Sequence, residues 1–163
     1  MRIVRLLAVL AALLPALAAA SAHDVKVGSL TLSDLWTRAI PPGAPAAAGY
    51  LAIANSGAEP DRLIAVSTPL AESSELHVTA VRDGVASMRP LAGGIGIAAG
   101  GSIALAPGGM HIMFMHPGDW AQDGDTVPVT LTFQKAGTVE TFLHVLAIGA
   151  PGPTSDSHAQ HVQ

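Results

Sequence analysis

The feature that most constrains how this 163-residue chain can fold is its punctuation. Short apolar or alternating runs occupy residues 25–32, 35–40, 46–54, 62–67, 74–81, 102–105, 111–115, 127–133 and 139–146. Between them stand Pro41-Pro42-Gly43, Asn55-Ser56-Gly57, Asp83-Gly84, Pro107-Gly108-Gly109 and Asp123-Gly124. These residues favour turns because glycine tolerates positive φ, proline presets φ, and Asn and Asp side chains bond their own backbone. Beyond the N-terminal segment, no window of about 11–18 residues keeps an apolar stripe at helical spacing. The alanine-rich stretch before Tyr50 runs into Leu51-Ala52-Ile53 and a turn, so it reads as strand. Many short strands at near-regular intervals predict an all-β sandwich or barrel.

The two ends stand apart from this pattern. Arg2 and Arg5 precede an apolar run at residues 3–14, then Pro15 and the small-residue site Ala20-Ser21-Ala22. This order predicts a signal peptide over residues 1–22, a mature chain opening at His23, and export to a bacterial periplasm with no membrane span in the mature form. An uncleaved anchor is the alternative, although the run is short for a span. About 140 mature residues suit one domain, placed at residues 23–148. Residues 149–163 are rich in Pro, Gly and polar side chains and contain His158 and His161, which predicts a flexible tail.

Charge and cysteine usage narrow the chemistry. The formal net charge is −4, and removal of Arg2 and Arg5 makes it more negative. With no basic patch, this argues against a nucleic-acid partner. There is no cysteine at all. Disulfides, a lipid-modified cysteine, thiolate zinc sites, Cys-x-x-Cys copper carriers and blue-copper centres are therefore excluded.

Four residues decide which metal chemistry is left: His77, Met88, His111 and Met113. A thioether is a poor ligand for zinc, calcium or magnesium, but with imidazole it suits copper, above all Cu(I). Taken singly, His77 reads as a surface histidine and Met88 as a core gap-filler. The segment Met110-His111-Ile112-Met113-Phe114-Met115 says more. In an extended chain His111, Met113 and Met115 share one face, while Ile112 and Phe114 share the other. The second is the natural core face, so His111 and Met113 point away from it, where a methionine has no packing purpose. A hairpin turning at Asp83-Gly84 would hold His77 and Met88 near each other.

These residues resemble the signature of periplasmic copper chaperones of the PCu(A)C family: a histidine, ten residues, a methionine, about 21 residues, then His-x-Met. Here ten residues separate His77 from Met88, and 22 separate Met88 from His111-Ile112-Met113. The extra residue is assigned to the loop at Gly93-Gly94. Further landmarks are Pro41-Pro42-Gly43-Ala44-Pro45 leading to Ala48-Gly49-Tyr50, then Asn55-Ser56-Gly57, Met88-Arg89-Pro90, and Pro107-Gly108-Gly109 onward. The resemblance covers roughly residues 25–146. It implies a cupredoxin-like Greek-key β-barrel or sandwich without the cupredoxin cysteine. It also implies His77, Met88, His111 and Met113 as ligands of an exposed Cu(I) site. The implied partner is a periplasmic copper-receiving protein, such as a cytochrome c oxidase subunit or another copper chaperone.

Other residues carry lesser expectations. A free N-terminus at His23, with His158 and His161 in the tail, offers nitrogen donors for Cu(II). His116 and His144 read as structural or surface residues, Met115 as a spare thioether or a shield. Trp36, Trp120 and Tyr50 read as core or rim aromatics. No G-x-S-x-G, H-E-x-x-H or phosphate loop is present, so a non-enzymatic role is expected. Two other readings stay open. One is a copper monooxygenase with a histidine brace at His23. The other is a metal-free β-sandwich interaction domain.

Overall fold

A computed structural model describes residues 24–153. Among these residues there is no helix and there are eleven strands: β1 Val25–Val27, β2 Leu30–Arg38, β3 Ala46–Asn55, β4 Asp61–Ser67, β5 Ala71–Arg82, β6 Val85–Pro90, β7 Ile95–Ile97, β8 Ser102–Leu105, β9 Met110–Pro117, β10 Thr126–Phe133 and β11 Gly137–Leu146. Their order is β6-β5-β9-β3-β2-β11-β10-β4-β7, with β1 added beside β2 and β8 beside β3. The β11–β2 ladder is parallel and the other ladders are antiparallel. The expected all-β, cupredoxin-like sandwich is what forms, with neighbours far apart in sequence joined as Greek-key connections require.

Period-two alternation builds the core. In β10, Val127, Val129, Leu131 and Phe133 are buried and the residues between them are not. In β3, Ala47, Leu51 and Ile53 point inward. Gly49 shares that inward face, because a Cβ there would lie 2.8 Å from Phe114 Cε2 and 3.0 Å from Leu143 Cδ1. The glycine thus lets the fully buried Phe114 ring lie against β3. Trp120 also packs against Phe114, with ring centroids 5.2 Å apart and planes tilted by 44°.

Some boundaries differ from the sequence-based expectation. The run 25–32 is broken at Gly28 (φ +56°) into β1 and β2. The break expected near Asp34 is instead a bulge inside β2, where Asp34 takes φ +49° and the register with β3 slips. β6 is the second arm of the hairpin expected at Asp83-Gly84, whereas β7 was not expected as a strand. β7 is only three residues long, but Ile95 and Ile97 are both buried.

The aromatics are structural, as expected. Trp36 and Tyr50 stack at 4.4 Å, and the Arg38 guanidinium lies over both rings at 5.2 and 5.6 Å. Arg38 Nε donates to the Ala150 carbonyl at 2.7 Å, and Trp120 Nε1 donates to the Arg38 carbonyl at 3.1 Å. Burial pushes the Tyr50 phenol upward in pKa, against the opposing pull of Arg38.

Candidate metal centre

The turn Asp83-Gly84 adopts φ +52° and +78°, the left-handed pair that a two-residue hairpin requires. It sets Arg82 opposite Val85 and carries the register down the hairpin to Met88 opposite Thr79 and Pro90 opposite His77. On its other edge, β5 pairs with β9, which places His77 directly opposite His111 and Glu75 opposite Met113. Directly paired residues share a face, and alternate residues along each strand share it too. His77, Met88, His111 and Met113 are therefore displayed on one face of three adjacent strands. Leu76, Ile112 and Phe114 fill the buried face behind them. The β5–β9 ladder that brings the two halves together could not be derived from the pattern of either segment.

The two imidazoles form the centre of this arrangement. Their ring centroids are 5.9 Å apart at an angle of 48°. Met113 lies one same-face position to one side of the histidine row, on β9. Met88 lies one same-face position to the other side, on the edge strand β6. Exposure across these four residues is uneven. Met88 is 60% exposed, whereas His111 is 6% exposed, with the His77 ring beside it and its Nδ1 on the Gly109 carbonyl. On β3, Ala48 stands opposite Met113 and Ala46 opposite Met115, so the neighbouring side chains on this face are small.

The hydrogen bonds assign the ring protons. The Gly109 carbonyl lies 3.1 Å from His111 Nδ1 and can only accept, so Nδ1 donates and Nε2 keeps its lone pair. Glu75 Oε2 lies 2.7 Å from His77 Nε2, so in the neutral ring Nε2 donates and Nδ1 keeps the lone pair. That Nδ1 is buried and has no hydrogen-bond partner. Each ring thus has one nitrogen tied to an oxygen and the other available as a donor, the arrangement that metal-binding histidines adopt. With two thioethers alongside, the donor chemistry suits Cu(I). Among the described residues no three His, Cys, Asp or Glu side chains converge to hold a metal ion, so any site here depends on methionine sulfur.

Glu75 was not singled out from the sequence. Its signal was present in Glu75-Leu76-His77, where period-two spacing puts the carboxylate on the imidazole's face. His116 is exposed, with φ +45° and Nδ1 3.4 Å from Glu72 Oε2. His144 is exposed on β11, opposite Trp36. Met115 shares the face of the site, opposite Ser73, and is half-buried. His23, His158 and His161, along with the expected signal peptide and most of the expected tail, lie outside the described residues.

The family described as "Putative lipoprotein LpqE-like" matches residues 30–145, from the start of β2 to the penultimate residue of β11. The chain belongs to the LpqE-like family. A similarly named relative, Lxx21020 of Leifsonia xyli subsp. xyli, is 31% identical over 121 residues, covering 74% of this chain and 72% of that one. Among solved structures, the copper-bound PCuAC domain from PmoF2 is similar at TM-score 0.67 and 29% identity, covering 77% of this chain and 99% of that one. Apo-DR1885 from Deinococcus radiodurans is similar at TM-score 0.58 and 25% identity, covering 94% and 99% of the two chains. Its Cu(I) form is similar at TM-score 0.57 and 29% identity, covering 81% and 86%. This member of the LpqE-like family therefore has structural homologues that are copper-binding PCuAC domains. No helix among its described residues is long and apolar enough to cross a membrane.

Proposed function

We propose that this chain is an exported copper chaperone that holds Cu(I) through His77, Met88, His111 and Met113. In this reading residues 1–22 direct export to the periplasm, residues 23–148 bind the metal, and the tail at 149–163 adds histidines. The cargo passes to a copper-receiving protein of respiratory oxidase assembly or to another copper chaperone, and no substrate is chemically converted.

The observation that carries this reading is the pairing of His77 with His111 across the β5–β9 ladder, with a methionine diagonal to the pair on each side. Two neutral imidazoles and two thioethers carry no negative charge to favour Cu(II), and sulfur favours the lower oxidation state. The similarity to copper-bound PCuAC domains supports the same cargo. The exposure of Met88 supports handover, because a ligand reachable from solvent can be displaced by an incoming donor while the others still hold the metal.

X-ray absorption on the Cu(I)-loaded mature protein tests the proposal. Sulfur scattering at copper–thioether distance is expected, decreasing in Met88→Ala and again in the double variant with Met113→Ala. Failure to retain Cu(I) under a reductant would instead favour a metal-free interaction domain.

A further inference from the structure

We propose that Glu75 is the positioning residue of this site: its carboxylate fixes the ring of His77 so that Nδ1 is the donor atom, without itself becoming a ligand. The inference rests on the copper-binding reading above.

Three observations carry it. First, Glu75 and His77 are alternate residues of β5 on one face, and Oε2 and Nε2 are 2.7 Å apart. A carboxylate only accepts, so this contact sets which nitrogen bears the proton. Second, the opposite nitrogen, Nδ1, is buried without a partner. A fold that ties down one imidazole nitrogen and leaves the other buried and unpaired has oriented a donor rather than satisfied a surface histidine. Third, no three His, Asp or Glu groups among the described residues converge to hold a metal. Glu75 therefore does not complete an oxygen-donor site with His77 and His111, although it stands opposite Met113.

The exposures of the two partners fit the division of labour. The His77 side chain is 13% exposed and the Glu75 side chain 49%. The carboxylate stays at the hydrated rim, where its charge costs little, and acts inward through one hydrogen bond. His111 is held in the same manner by the Gly109 carbonyl, which belongs to the backbone. Glu75 is thus the side chain through which substitution can loosen one imidazole without removing a ligand. A carboxylate hydrogen bond also raises the donor strength of the ring it holds, so its loss weakens metal binding twice over.

The test compares Glu75→Ala and Glu75→Gln with the wild-type full chain. Without copper, wild type should show a slowly exchanging, downfield imidazole N–H signal assigned to His77 Nε2. Nδ1 should appear as an unprotonated nitrogen in a proton–nitrogen correlation. Glu75→Ala should lose the N–H signal, and Glu75→Gln, whose amide oxygen still accepts, should restore it. In competition with a Cu(I) chelator, Glu75→Ala should bind about 10–100-fold more weakly, the usual cost of losing such a partner, and Glu75→Gln should recover most of the loss. X-ray absorption of loaded Glu75→Ala should keep the wild-type donor set. An unchanged N–H signal and affinity in Glu75→Ala would overturn the proposal. So would loss of an oxygen donor in its absorption spectrum, which would make Glu75 a ligand. Absence of Cu(I) binding by wild type would instead remove the proposed function, while the N–H signal would still decide whether Glu75 holds His77.

Discussion

Replacing Met88 with alanine should separate the proposed metal binding from folding, because its side chain is largely exposed. Met88 sits on the edge strand β6, all six of whose residues are exposed, and is itself 60% exposed. Complete burial of a methionine side chain is worth about 2 kcal/mol, so the remaining two-fifths contribute roughly 0.8 kcal/mol at most, since unfolded chains also bury part of this surface. Urea unfolding of the copper-free variant should therefore show a loss below about 1 kcal/mol with an unchanged slope. The effect on Cu(I) should be of another order. Removing one of the two thioethers from the proposed four-donor site should weaken binding at least about tenfold, equivalent to about 1.4 kcal/mol, in titration against a chromophoric Cu(I) chelator. Cu(II) binding should change little, because a thioether contributes little to the harder ion. Equal losses for the two oxidation states, or unchanged Cu(I) affinity, would refute the assignment of Met88 as a ligand.

Other consequences can be measured with the same protein. Gly49→Ala places a methyl group 2.8 Å from the Phe114 ring and should destabilise the fold by about 1–3 kcal/mol, seen as a lower unfolding midpoint. Asp61 accepts backbone N–H bonds from Arg62 at 2.7 Å and from Lys135 and Ala136 at 2.9 Å each. Burial alone would raise its pKa, but these bonds and the Lys135 charge together hold it below the usual carboxylate value. Because the folded-state value is the lower one, the stabilisation is present above the unfolded carboxylate pKa and is lost as pH falls through the folded one. Asp61→Asn should cost about 1 kcal/mol at neutral pH, allowing for solvent screening, and should flatten the acid limb of the stability curve. If the chain binds Cu(I), free metal at 100 times its dissociation constant should raise stability by about 2.7 kcal/mol, and a chelator should reverse the shift.

How much could be read in advance depended on the range of the interactions. The inward faces of β10 and β9 were legible because alternation is local: Val127, Val129, Leu131 and Phe133 repeat every second residue, as do Ile112 and Phe114. The Asp83-Gly84 hairpin was legible because its turn chemistry sits in two adjacent residues. Strand division around Gly28 and Asp34 was not. Both residues take positive φ, yet one ends a strand and the other only bulges it, and the difference lies in whether β3 continues the ladder. β7 was missed because a three-residue strand, Ile95-Gly96-Ile97, is too short to show a period. At the site, alternation put His111 and Met113 on the face away from the core, but His111 is buried there all the same, beside the His77 ring from the paired strand and the Gly109 carbonyl. Glu75 was overlooked because an acidic side chain on an outward face is usually a solvated charge. Its distance from His77 Nε2 distinguishes it from one.

The uneven exposure across this face bears on how a soft cargo would be held and then released. A cage of four equally buried ligands would hold copper well and surrender it slowly. Four equally exposed ligands would exchange it with any thiol or imidazole in solution. Here the gradient runs across three strands: His111 is nearly sealed, His77 is tied to Glu75, Met113 is half-buried, and Met88 stands on the open edge. That edge is also poorly suited to indiscriminate strand pairing, because Pro90, opposite His77, has no N–H to offer a neighbour. In the proposed role an incoming donor would therefore meet Met88 first, and the histidines last. With the most accessible thioether on an edge hairpin and the imidazoles on the inner ladder, the proposed site would have a route for stepwise exchange, one that follows from strand order rather than from any special loop.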